Sequence, residues 1–355
     1  MNTKRELQAQ SGRSAVVDLP QPYLLFLGDT VEKGYAKTAF GLRDWARERC
    51  VGEWSCGGAT VTTDLPRLTP KEARARGAKA LVIGVANTGG VISDSWLPSL
   101  IEALESGLDI ISGMHAKLGD LPQLKSTAER HGRRLIDVRT PPQNIPTASG
   151  VKRSGKRLLT VGTDCAVGKK YTTLALARAF TQRGLDADFR ATGQTGILIA
   201  GSGIPMDAVV ADFEAGAAEV LSPAAPAQHW DVIEGQGSLF HPAYAGVSLG
   251  LLHGSQPDVI VVCHDPARKF LLGHAFPVPT IAETIDTNLR LGRLTNAAIR
   301  CAGVTLNTSR LSPEEASRLL AQESARLGLP VADPLRGGME FERLVDACLI
   351  QGSLI

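Results

Sequence analysis

The chain is 355 residues long, 43% hydrophobic and 21% charged, with 38 Lys and Arg against 36 Asp and Glu and with 37 glycines against 17 aromatic residues. That profile excludes a disordered or collagen-like chain and suits two globular domains at about 150 residues each. Near-neutral charge argues against a dedicated nucleic-acid binder, and no apolar run approaches the roughly 18 residues a membrane helix needs.

In chain order, residues 23–27 form the first apolar strand and run into Gly28-Asp29-Thr30, after which Phe40, Leu42, Trp45 and Ala46 recur at helical spacing. Strands follow at 80–86, 109–111 and 134–138, with helices at 97–104 and 121–131 between them. The run from Pro141 to Pro146 cannot continue either element, and 147–156 is small, polar and basic, so the boundary between a domain over 1–145 and one over 146–355 falls here. The pattern then restarts with strands at 157–161, 187–191, 231–233, 258–263 and 303–306, and helices at 174–183, 206–221, 280–291 and 313–327. Short strands alternating with helices predict an α/β chain with mainly parallel sheets and functional loops at the strands' carboxyl ends.

Residues 1–156 hold 22 basic and 16 acidic side chains, whereas 157–355 hold 16 and 20. This asymmetry suits two surfaces that attract, or a basic half that faces an anionic substrate. Met1–Ser14 has charges and no apolar core, so no secretory signal is expected. Cysteines at 50, 56, 165, 263, 301 and 348 show no zinc spacing and read as cytosolic thiols.

The strongest chemical signal is the strand at 157–161 entering Gly162-Thr163-Asp164-Cys165-Ala166-Val167-Gly168-Lys169 and then a helix. Glycines let successive N–H groups turn inward, the helix end adds a positive dipole, and Lys169 reaches phosphate oxygens. The spacing is G-x5-G-K, and Lys170 replaces the Ser or Thr that holds magnesium, so Thr172 or Thr173 would serve only in a displaced turn. Phosphate binding is thus expected, and ATP with magnesium less so. A second acid-and-glycine segment, Glu234-Gly235-Gln236-Gly237-Ser238, ends a strand where glycines would let a ligand approach. Asn307 ends another and either meets a purine edge or forms a turn.

Gly162–Lys169, together with Ala191-Thr192-Gly193-Gln194-Thr195-Gly196, Glu234–Ser238 and Cys263-His264-Asp265-Pro266, resembles the D-glutamate N-acetyltransferase family, P-loop proteins long without an assigned function. Lys37-Thr38-Ala39 and Gly113-Met114-His115 stand at family-like places. The resemblance implies a Rossmann-like N-terminal domain, a P-loop NTPase-like C-terminal domain, and transfer of acetyl from acetyl-CoA to the amino group of D-glutamate. The glycine-rich loop also looks like that of dethiobiotin synthetase, which leaves an ATP-dependent ligase or kinase as the alternative, beside a non-catalytic nucleotide-binding regulator.

That chemistry needs a phosphate site, a base and cations for two carboxylates. Gly162, Thr163, Asp164, Cys165, Gly168, Lys169, Lys170, Thr172, Thr173 and Asn307 are the candidates for the cosubstrate. Glu234 and His264, at strand ends, are candidates for the catalytic base, with His241 and His115 behind them. Arg190, Gln194, Thr195, Arg268 and Lys37 are candidates for the amino acid. Cys165, in an anion-binding loop, should carry a depressed pKa and so suit an acyl carrier. The expected enzyme is cytoplasmic and homo-oligomeric, with small-molecule partners, no nucleic acid, no membrane and no metal site.

Overall fold

The computed structural model describes residues 17–85, 87 and 90–350, so the segment read for a signal and Ala86, Thr88 and Gly89 at the end of one predicted strand lie outside it. The chain forms two compact units: one runs to Pro142 and takes in Gln194–Ala208, and the other comprises Gln143–Gly193 and the chain from Val209.

The first unit is built on β1 (Tyr23–Phe26), β2 (Cys50–Trp54), β3 (Ala80–Ile83), β4 (Asp109–Ser112) and β5 (Leu135–Asp137). All pair in parallel, in the order β2-β1-β3-β4-β5. Every residue of β1, β3 and β4 is buried, as parallel strands covered on both faces require. Phe26, Leu81, Ile83, Trp96, Leu100, Leu104, Ile110 and Leu124 belong to one core, in which the Phe26 and Trp96 rings meet edge-on at 5.8 Å. The helix Gln194–Ala200 and an antiparallel pair of Val17–Asp18 with Ser202–Gly203 complete the unit.

The second unit holds β6 (Lys156–Gly162), β7 (Ala187–Arg190), β8 (Trp230–Ile233), β9 (Val259–His264), β10 (Arg300–Leu306) and β11 (Val331–Ala332). These are again all parallel, in the order β11-β10-β9-β6-β8-β7. Both β8 and β9 therefore flank β6, and the order turns back on itself beside it, the place where open α/β sheets bind ligands. Helices Ile281–Gly292 and Pro313–Leu327 start with reciprocal caps, Thr280 with Glu283 and Ser312 with Glu315. Among the described residues no helix is long and apolar enough to cross a membrane.

The predicted helix over 206–221 is not one helix. Two short 3-10 turns, Met206–Ala208 and Ala211–Phe213, precede an α-helix over Glu214–Leu221, because the segment passes from one unit to the other between Ala208 and Val209. Helices Gln194–Ala200, Ala245–Ser255 and Gly338–Leu349 and strands β2 and β11 were not evident from spacing.

Candidate functional site

The loop between β6 and the helix Lys169–Gln182 forms the site's floor. Gly168 caps that helix with φ 108° and has open space where a side chain would stand, so only its backbone conformation demands glycine. Lys169 is buried, and its ammonium donates to the Asp164 carbonyl at 2.8 Å, so it curls back over its own loop. Burial pushes this amine below the usual lysine range, opposed by the nearby Cys263, Cys165, Asp164 and Glu234.

Asp164 is fully buried and stitches the loop after β9 to the floor. Its Oδ2 accepts from Arg268 Nη1 at 2.7 Å and from the Leu272 amide at 2.8 Å, and its Oδ1 accepts from the Cys165 amide at 2.7 Å. Arg268 also donates to the Cys165 carbonyl at 2.8 Å. Arg268 is thus committed to the protein's own carboxylate, which corrects its expected place on a substrate carboxylate. Cys165 also departs from expectation: burial pushes its thiol up, and Lys169 only partly opposes this.

From β8, Glu234 reaches the end of β7. Its Oε2 accepts the Thr192 and Gly193 amides, both at 3.0 Å, while the Thr192 hydroxyl donates to the Glu234 carbonyl at 2.6 Å and accepts from Gln236 at 2.9 Å. Glu234 Oε1 accepts no hydrogen bond from any described residue and is not sealed from solvent. Burial raises the carboxyl above the usual range, opposed by the Thr192 amide, Lys170 and Lys169. From β9, half-buried His264 brings Nδ1 to 2.9 Å from the Thr163 hydroxyl. Burial holds this imidazole below the usual histidine range. Adjacent strands lie about 4.8 Å apart, so the strands that end in Glu234 and His264 run about 10 Å from each other at the backbone, one on either side of β6.

The remaining candidate residues have these places in the structure. Thr172 and Thr173 turn away from the loop mouth: Thr172 Oγ1 meets Thr305 Oγ1 at 3.0 Å, and Thr173 Oγ1 meets Thr160 Oγ1 at 2.8 Å and donates to the Lys169 carbonyl. Neither hydroxyl stands ready for magnesium. Asn307 forms the turn, its Oδ1 accepting from the Ser309 amide at 3.2 Å. Arg190 points back along the sheet to Asp231 (2.5 Å) and Asp188 (3.0 Å). Gln194 and Thr195 belong to the other unit, where Gln194 accepts from Arg139 Nε at 3.2 Å. Lys37 is exposed in that unit, at the start of the helix Lys37–Trp45. There His115 packs against Gly90. Gly235 makes room for the Thr160 carbonyl, which a side chain would meet at 1.7 Å, so it serves the chain's own packing rather than a ligand.

Sequence reasoning did not find the Thr163–His264 contact or the amide clamp of Thr192 and Gly193 on Glu234. The latter had a signal, a glycine three residues after β7. Among the described residues two groups of side chains have metal-ligand composition, Asp164–Cys165–His241 and Asp188–His229–Asp231. Both ring nitrogens of His241 and the Asp231 carboxylate are already engaged: His241 Nε2 meets the Leu272 carbonyl at 3.0 Å and Nδ1 accepts from the Ala243 amide at 3.2 Å, while Asp231 serves Arg190 and Ser222.

Comparison with known proteins agrees with this architecture. Residues 146–345 match the family model "Domain of unknown function (DUF1611_C) P-loop domain", and residues 48–141 match the companion N-terminal "Rossmann-like domain". A D-glutamate N-acetyltransferase of Pseudoalteromonas sp is 50% identical over 91% of this chain and 98% of its own. One of Tritonibacter scottomollicae is 50% identical over 92% and 98%. The crystal structure of a DUF1611 family protein from Anabaena variabilis superposes with a TM-score of 0.81 at 31% identity, over 92% of this chain and 98% of that one. Near-complete coverage on both sides, with a phosphate-type loop in its sheet context, places the protein: the chain belongs to the D-glutamate N-acetyltransferase family, built on the DUF1611 pair of Rossmann-like and P-loop domains.

Proposed function

We propose that this chain transfers acetyl from acetyl-CoA to the amino group of D-glutamate, with the loop Gly162–Lys169 holding phosphates of CoA. The observation that carries the reading is half identity to two enzymes of that name over 98% of their lengths. In this reading the loop amides, Lys169 and Lys170 meet the pyrophosphate, and no nucleotide is hydrolysed. The inward hydroxyls of Thr172 and Thr173 support phosphate binding without magnesium over the ATP-dependent ligase alternative. Glu234 is the base: Oε1 accepts no hydrogen bond from a described residue, Oε2 is fixed by two amides, and a raised pKa suits proton transfer from an ammonium. The freed amine attacks the thioester carbon, the carbon–sulfur bond breaks, and CoA leaves as the thiol. The enzyme is cytoplasmic and self-associates, with small molecules as its partners.

The test is purified protein with acetyl-CoA and D-glutamate, following free thiol, beside an ATP-hydrolysis assay. Thiol release that requires D-glutamate is the expected result. ADP formation with no thiol release would sink the proposal in favour of the ligase.

A further inference from the structure

The two ring nitrogens of His264 have different surroundings. Nδ1 faces the Thr163 hydroxyl at 2.9 Å. Thr163 is fully buried, its amide donates to the Cys263 carbonyl at 3.1 Å, and its hydroxyl meets no other described residue. If Nδ1 carried the ring hydrogen, the Thr163 hydrogen would be left without an acceptor inside the protein, which is unfavourable. The hydroxyl therefore donates to Nδ1, and the neutral ring keeps its hydrogen on Nε2. Nε2 has no partner among the described residues, and the ring is half-buried, so this N–H remains available to a ligand.

We propose that His264 acts as a neutral hydrogen-bond donor, presenting Nε2–H to the thioester carbonyl oxygen, and that Thr163 is the positioning residue that sets this tautomer. The inference deepens the acetyl-transfer reading and rests on it. Roles then divide across the loop. Glu234 takes one proton of the ammonium and passes it to solvent, then takes the second as the amine nitrogen forms a bond to the acetyl carbon and the carbonyl π pair moves onto oxygen. Nε2–H stabilises that oxygen; the pair then returns, the carbon–sulfur bond breaks, and the sulfur receives the proton held by Glu234. His264 ends the cycle with the protons it began with.

The surroundings favour this assignment. Burial keeps the imidazole neutral near physiological pH; Asp265 and Glu323 oppose this, and Arg268 and Arg326 reinforce it. A neutral donor in a half-buried place stabilises developing charge without requiring a buried imidazolium beforehand.

The experiment uses the full chain with 15N-labelled histidine. Two-bond proton–nitrogen correlations should show His264 protonated at Nε2, its signal assigned by loss in His264→Gln. Thr163→Val should shift that signal toward mixed tautomers, and Thr163→Ser should preserve it. Thr163→Val should lower kcat about tenfold or more with KM for acetyl-CoA within about twofold, whereas Thr163→Ser stays near the parent. His264→Gln, whose amide can donate, should retain more turnover than His264→Ala. A ring protonated at Nδ1 in the parent protein, or a Thr163→Val variant with unchanged signal and kcat, overturns the inference even where acetyl transfer is robust. An Nε2–H ring in a protein that does not acetylate D-glutamate overturns the acetyl-transfer reading and the donor role together, leaving only the tautomer.

Discussion

Lys169 satisfies its ammonium on the Asp164 carbonyl, so an arriving phosphate must exchange one partner for another at a buried amine. Charge then decides the exchange, because a doubly charged pyrophosphate returns to the ammonium what burial removes. Lys169→Ala should weaken CoA binding at least about tenfold by calorimetry; unchanged affinity would refute this use of the loop. Glu234→Gln should lower kcat by about 10²-fold or more while the fold is retained. The parent's pH–rate profile carries a sign. A base with a raised pKa loses activity as pH falls through a value above the ordinary carboxylate range, so an acid limb at an ordinary value would count against Glu234. The places of Glu234 and the loop at the ends of strands were legible in the sequence because each follows an apolar run and is set among glycines. The commitments of Arg190 and Arg268 were not, since an arginine's partner is chosen by folding: Asp231 is 41 residues from Arg190 along the chain and Asp164 is 104 from Arg268.

Strands with every residue buried, such as β3 and β4, were readable as continuous apolar runs. The edge strand β11 has only two residues and the edge strand β2 carries Glu53, so neither shows such a run. Gly235 ties β8 to β6, its amide donating to Thr160 Oγ1 at 3.0 Å, with the Thr160 carbonyl where a side chain would be. Gly235→Ala should force these strands apart and cost about 3 kcal/mol or more in urea unfolding; a loss within error would show that the strands yield freely. At the sheet's opposite end, His229 lies between two carboxylates, Nδ1 at 2.9 Å from Asp186 and Nε2 at 3.2 Å from Asp231. Burial alone would lower its pKa, but these carboxylates raise it. A raised folded pKa gives stability that is complete below the ordinary histidine value and is lost as pH rises through the folded one. Urea midpoints should therefore fall as pH rises above the ordinary histidine value of about 6.5, and His229→Gln should flatten that dependence. An equal slope in the variant would remove His229 as its source.

Within the described residues the chain passes between its two units three times, after Pro142, after Gly193 and after Ala208. A single cut therefore cannot free one from the other as independent pieces. Residues 147–152 are nearly all exposed, a natural target for limited proteolysis. Fragments nicked there should co-elute on native size exclusion, because Gln194–Ala208, on the later fragment, completes the earlier one; separation without denaturant would contradict this. The same threading sets an order of events during synthesis. The first unit has its five strands by Asp137, yet the helix and short strand that close it are not made until Gly203. A nascent chain must therefore hold an incomplete Rossmann-like layer while β6, the phosphate loop, its helix and β7 emerge, and a gene fusion or split at the apparent domain border would divide a unit rather than separate two.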